Sequence, residues 1–122
     1  MRNRLPETRP GVTHRFVLTA NDGIYKGYIT VGCYADGRPG ELFVKMDAQG
    51  STVSGFIDAW AIAVSILLQT GTSLRTICDK FRGMSFEPSG MTDNKDVRFA
   101  RSTIDYIVRW LELRFGETAD TE

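Results

Sequence analysis

Three groups of side chains in this 122-residue sequence have types and spacings that could do chemistry. The first spans residues 81–98. It combines two aromatics (Phe81, Phe86), small polar residues (Ser85, Ser89, Thr92, Asn94) and cations (Arg82, Lys95, Arg98). An aromatic can stack on a base, amides and hydroxyls can read its edge, and cations can meet phosphates, so this mixture suits a nucleotide. A packed loop between two helices, with Phe81 and Phe86 plugging the core, fits the same residues. The second group is Arg101, Asp105, Arg109 and Glu112, which share one side of a helix at spacings of four, four and three. As an exposed ion-pair ladder they would contribute roughly a few tenths of a kcal/mol per pair. Alternatively one arginine faces a ligand, since guanidinium stacks on bases and forks onto phosphate. Arg109, next to Trp110, is then the best placed. The third is His14, the one histidine. A nucleophile–base pair would need a Ser or Cys within hydrogen-bond reach of it, and nothing in the sequence points to one. A structural or surface histidine is the plainer reading.

Other chemistries find no residues. No Walker-type loop and no GxGxxG occurs. Cys33 and Cys78 lie far apart, and with a single histidine they make no zinc-ligand cluster. They read as buried free thiols in a reducing compartment. No metal and no cofactor is expected. Fifteen basic and fifteen acidic side chains cancel, which removes long-range attraction to nucleic acid or anionic membrane. Neither DNA nor a membrane is therefore expected as a partner, and any phosphate binding must come from local placement of Arg and Lys. The apolar stretch 56–68 contains Asp58 and is shorter than the ~20 residues of a membrane span. The first ten residues, MRNRLPETRP, are polar with two prolines and give no secretory signal. A cytoplasmic location is expected.

The elements that must carry these groups follow from the hydrophobic period. One domain over residues 1–122 is expected, with an arm at 1–11 and a frayed acidic tail at 116–122. Strands are predicted at 12–19, 24–34 and 41–46, with a turn at Asn21-Asp22-Gly23, where these residue types tolerate positive φ. A bulge is placed at Gly27. After residue 46 the period changes from 2 to 3.6. Helices are predicted over 53–69, 74–81 and 96–115, with N-caps at Gly50-Ser51-Thr52, Ser73 and Asn94 and a stop at Gly71. The first helix is apolar all round (Phe56, Ile57, Trp60, Ala61, Val64, Ile66, Leu67, Leu68). It is therefore predicted to be central in the fold or covered by another subunit. The fold class is α+β: a three-stranded antiparallel sheet followed by three helices.

Several segments carry a family resemblance: Gly40-Glu41-Leu42-Phe43, Gly50-Ser51-Thr52-Val53-Ser54-Gly55, Asp79-Lys80-Phe81, Phe86-Glu87-Pro88-Ser89-Gly90, Arg98-Phe99-Ala100 and Asp105-Tyr106-Ile107. They resemble the C-terminal accessory domain of cobalamin-dependent ribonucleotide reductases. Arg4-Leu5-Pro6 and Thr13-His14-Arg15-Phe16 extend the resemblance over nearly the whole chain. In that family the domain follows a catalytic barrel and precedes a cysteine-rich tail. Cys33 and Cys78 match none of the family's reducing cysteines, so the resemblance implies no reduction by these residues, and no enzyme is expected. With Met1 at its start and seven residues after Phe115, the chain is expected to be a stand-alone form.

In that form it is similar to phage anti-Thoeris sponge proteins, counter-defence proteins that bind cyclic ADP-ribose signals and withhold them uncleaved. Those proteins are dimers that assemble into hexamers, and some hold cyclic oligonucleotides at a separate site. This second resemblance implies an adenine held between Phe81 and Arg109, with Asn94 completing the pocket. Lys26, Asp22 and Arg82 would face the ribose and pyrophosphate, and Arg98 belongs to the same set of loop cations. It implies a cyclic nucleotide signal and a second copy of the chain as partners, in a host cytoplasm if phage-encoded. The alternative is an accessory or split C-terminal subunit whose partner is a reductase catalytic chain.

Overall fold

The computed structural model describes residues 1–47 and 52–119. In chain order the elements are β1 (Gly11–Ala20), β2 (Gly23–Cys33), β3 (Pro39–Met46), α1 (Thr52–Gln69), α2 (Leu74–Phe81), β4 (Gly90–Thr92), β5 (Phe99–Ala100) and α3 (Thr103–Ala119). The strands form one curled antiparallel sheet in the order β3-β2-β1-β4-β5. The class is the expected α+β, but the sheet has five strands rather than three. The additional pair comes from residues assigned above to a loop and to the start of the last helix. β4 and β5 are three and two residues long, too short for any alternation to register. They are fixed by pairing, Leu18 with Thr92 and Thr19 with Met91, then Gly90 with Ala100 and Met91 with Phe99.

The last helix accordingly begins at Thr103, not near residue 96, and continues to Ala119. Asn94 is not its cap. Its Oδ1 accepts the Asp96 N–H at 2.9 Å and its carbonyl accepts the Val97 N–H at 3.1 Å, an Asn-stabilised turn. Ser102 caps α3 instead, its Oγ accepting the Asp105 N–H at 3.0 Å. α2 starts where predicted, with Ser73 Oγ accepting the Thr76 N–H at 3.1 Å. It ends at Gly83, whose φ of +82° favours glycine. The cap expected at Gly50-Ser51 lies outside the described residues.

Alternation along β1, β2 and β3 places Phe16, Leu18, Ile29, Val31, Leu42 and Val44 on the buried face. Gly27 makes no bulge: the β1–β2 and β2–β3 registers run through it unbroken, and the irregularity lies at Gly32/Cys33. Gly27 instead makes room for a ring. A Cβ there would sit 2.8 Å from Phe16 Cζ and 2.9 Å from the Lys45 carbonyl. In the β1–β2 turn, Asn21 and Asp22 keep negative φ, and Gly23 alone is positive at +147°.

The central helix is α3, with Tyr106, Ile107 and Val108 fully buried. α1 lies over β3 and buries only Ile57, Ala61, Val64 and Gln69. Phe56 is 70% exposed and Ile62 63%, with Ile66 and Leu67 also exposed. The expectation of a central first helix thus fails, because α3 already fills the concave side of the sheet. α1 is long and apolar enough to cross a membrane by length and composition. Here two polar side chains bind it to the edge strand. Ser65 Oγ accepts the Leu42 N–H at 2.8 Å, and Gln69 Nε2 donates to the Gly40 carbonyl at 2.9 Å. These bonds satisfy backbone groups that an edge strand would otherwise leave open. The N-terminal arm closes over the same corner: Arg2 Nε donates to Gln69 Oε1 at 2.7 Å, and Arg9 pairs with Glu41 at 2.5 Å.

Gly27→Ala should lower stability by roughly 1–3 kcal/mol, the range for overpacking a filled core. Gly55→Ala, on the exposed side of α1 with open space around it, should raise stability by about 1 kcal/mol. Chemical denaturation of the two variants beside the parent checks both signs.

Candidate functional site

The charged row on α3 is organised around Asp105, which is fully buried. Its Oδ2 accepts the Arg101 N–H at 2.9 Å. Its Oδ1 accepts the Gly83 N–H at 2.6 Å and Arg109 Nε at 2.8 Å. Burial pushes the Asp105 carboxyl up. The two backbone N–H groups and the Arg109 guanidinium outweigh burial and hold it below the ordinary carboxylate value. Next to it, Arg82 pairs with Glu112 and with Asp79. The row is therefore neither a free-standing ladder nor a set of open arginines. It belongs to the seam joining α2 to α3, where the Arg82–Glu112 pair crosses between the helices while Arg109–Asp105 lies within α3 and Arg82–Asp79 closes the end of α2.

A second polar chain runs from the sheet to the β4–β5 loop. Asn94 Nδ2 donates to Tyr106 Oη at 3.1 Å, and that hydroxyl lies 2.8 Å from His14 Nε2. The hydroxyl has one proton to give and two lone pairs, so it bridges Asn94 and His14 with either neutral tautomer of the imidazole. The ring lies flat against Trp110, with centroids 4.7 Å apart. Burial lowers the His14 pKa below its ordinary value, against a smaller opposing pull from Asp93. Burial likewise raises Tyr106. His14 is thus tied into the fold by Tyr106 and Trp110, the structural reading of its isolation in the sequence.

The residues expected to form the site divide as follows. Phe81 ends α2 half-buried, its ring edge-to-face with Trp60 at 5.5 Å. Arg82 and Arg109 both lie at the α2–α3 seam, Arg82 bonded to Glu112 and Arg109 to Asp105. Asn94 reaches this region only through Tyr106, one turn before Arg109. The other three lie on separate elements. Asp22, in the β1–β2 turn, accepts the Tyr25 hydroxyl at 2.8 Å and lines a 190 Å³ cleft with Glu87 and Ser89. Lys26 stands on the outer face of β2. Arg98 precedes β5 and donates to the Lys95 carbonyl at 3.4 Å. Sequence reasoning missed Ser102 as the cap and Asp105 as the hub, although Ser102-x-x-Asp105 is a capping-box pattern that could have revealed both. Among the described residues, the buried Trp60 Nε1 and Thr103 Oγ1 have no hydrogen-bond partner. Among the described residues no group of three or more His, Cys, Asp and Glu is placed to hold a metal ion.

Comparison with known proteins points one way. The TSCPD domain matches residues 3–115. A vitamin B12-dependent ribonucleotide reductase of Rhodopirellula baltica is 47% identical over 114 residues, 93% of this chain and 11% of the relative. One from Streptomyces avermitilis is 50% identical over 115 residues, 94% of this chain and 12% of the relative. One from Bradyrhizobium diazoefficiens is 37% identical over 120 residues, 98% of this chain and 9% of the relative. The chain thus spans roughly a tenth of the length of these relatives. No solved structure matches. The residues present do not fit the cobalamin named for those relatives. His14, the one imidazole, is committed to Tyr106 and Trp110, and neither the 190 Å³ cleft beside Asp22 nor the open clefts of 350 and 420 Å³ beside the N-terminal arm can enclose a corrin.

Asp105→Asn should cost roughly 3 kcal/mol, because the new amide points a donor at N–H groups that need an acceptor. With a depressed folded pKa, Asp105 adds stability that is complete above the unfolded value of about 3.9 and is lost as pH falls through the folded one. The parent should therefore lose more stability than the variant on acidification below about pH 4. His14 works in the opposite pH range. A histidine held neutral in the fold makes the protein less stable as pH drops through about 6.5. His14→Gln, which keeps an acceptor, should flatten that dependence in thermal melts between pH 7.5 and 5.5.

Proposed function

The chain belongs to the TSCPD domain family, and on that premise we propose that it is the accessory unit of a vitamin B12-dependent ribonucleotide reductase. In this reading it docks on a catalytic chain and does no chemistry of its own. The observation that carries it is identity of 47–50% to such reductases across 93–94% of this chain. The residue environments agree with a docking role. The seam carboxylates and cations are bonded to one another, and His14 is half-buried and hydrogen-bonded to Tyr106.

The docking surface in this proposal is the outward side of α1, where Phe56, Ile62, Ile66 and Leu67 stay exposed. A patch of this kind marks a protein contact more often than a free surface, and the catalytic chain is its proposed occupant. The sponge reading fares worse. Its proposed phosphate-facing arginine, Arg82, is held by Glu112 and Asp79, and Arg109 by Asp105. A phosphate at Arg82 would have to displace its carboxylates.

The test is reconstitution. A Streptomyces avermitilis reductase lacking its matching 115 residues would be mixed with this chain and passed over a sizing column with light scattering. A stoichiometric complex with restored B12-dependent reduction is expected. The double variant Phe56→Asp, Ile62→Asp should abolish it without lowering the melting temperature, since both side chains are exposed. The absence of a complex, together with recovery of an intact cyclic ADP-ribose from the heated protein, would overturn the proposal in favour of a sponge. Self-association that survives the double variant would overturn the assignment of α1.

A further inference from the structure

The face of the sheet turned away from the core is open across β1, β2 and β3. Arg15 pairs with Tyr28, and Tyr28 with Lys45, so these three form one row across the strands. The next row is Thr13, Thr30 and Phe43, and Lys26 stands one outward position beyond Tyr28 on β2. Tyr28 is 42% exposed and Phe43 55%, and Arg15, Lys26 and Lys45 are exposed as well. None of the three cations makes an ion pair among the described residues. The nearest acids stand at the ends. Glu41 is engaged by Arg9, and Asp47 follows β3 opposite Lys26, to whose carbonyl its N–H donates.

We propose that this face binds single-stranded nucleic acid. The two rings are diagonal neighbours on adjacent strands, about 7 Å apart, so each can take one base of a splayed strand. Arg15 on one flank and Lys45 and Lys26 on the other can meet the phosphates. Stacking platforms rimmed by cations are the general solution for single strands, because every base offers a π-face. A duplex hides its bases, and the broad outer face of the sheet projects no element into a groove, so the single strand is the fitting form. An acidic peptide could use the cations but has nothing to lay on the two rings. The zero net charge, on which the expectation of no DNA partner rested, removes only long-range steering. What remains is short-range contact, which the fold supplies by aligning cations that lie far apart in sequence. The face lies opposite the side covered by α1, so the inference is independent of the reductase contact.

The experiment is fluorescence anisotropy of the whole chain with labelled ten-residue oligo(dT) and oligo(U), and with labelled polyglutamate as a polyanion without bases. Saturable binding of at least one oligonucleotide is expected, the better of the two naming the sugar. Tyr28→Ala and Phe43→Ala should each weaken it about tenfold, while Tyr28→Phe keeps the affinity. Lys45→Gln and Arg15→Gln should each reduce the slope of log affinity against log salt by about 0.7. Circular dichroism confirms that the variants stay folded. Absence of oligonucleotide binding at low salt would overturn the proposal. So would equal binding of polyglutamate that Tyr28→Ala leaves unchanged, which would make the face a contact for acidic protein.

Discussion

The structure depends on one buried charge. Asp105 has no exposure to water, and an unpaired carboxylate in that position would be costly enough to melt the region or force it to take up a proton. Its three hydrogen bonds come from Arg101 just before α3, from Gly83 just after α2, and from Arg109 one turn along α3. Satisfying one side chain therefore fixes where one helix stops, where another starts and how the two lie together. Gly83 suits this position because its N–H must face the carboxylate while its φ is +82°. Arg82, the residue before it, adds the outer clamp to Glu112.

The same economy governs the middle of the molecule. Tyr106 brings a hydroxyl into the core beside Phe16, and a buried hydroxyl needs partners. His14 from β1 and Asn94 from the β4–β5 loop provide them. This short chain stitches the first strand to the central helix and holds the loop that carries β4 and β5. It also explains why residues with the chemical look of a site, His14 and Asn94, serve as supports. The consequence for function is that the polar groups best placed for chemistry are bonded to the protein itself, and the surfaces left over are broad and exposed. One is the apolar outer side of α1 and the other is the basic, aromatic outer face of the sheet. Both are suited to macromolecular partners rather than to a small enclosed substrate.

The two surfaces differ in origin. α1 keeps apolar residues exposed because Ser65 and Gln69 bind it sideways to the edge of β3, leaving Phe56 and Ile62 on the far side. The sheet face keeps its cations because alternation sends Arg15, Lys26, Tyr28, Phe43 and Lys45 outward whenever Phe16, Ile29 and Val44 go inward. In each case the placement follows from burying the opposite side of the same element.

The local period determined much of this protein. Alternation from residue 12 to 46 gave three strands. The shift to helical period gave α1 and α2, and the Ser73 cap and the Gly71 and Gly83 stops fell where residue type predicts. The family could be read from contiguous motifs such as Phe86-Glu87-Pro88-Ser89-Gly90. What tertiary structure alone decided is everything that depends on a partner distant in the chain. β4 and β5 are too short to signal themselves and exist because β1 offers them an edge. Asn94 looked like a helix cap until pairing at Phe99–Ala100 moved the helix start to Thr103. Gly27 looked like a bulge, because the ring that fills its place belongs to Phe16 on another strand. That Asp105, the partner of Arg109, is buried emerges only once α2 is packed against α3. Period and capping act over a few residues and are written in the chain. Burial and charge pairing act across space, and only the folded arrangement sets them.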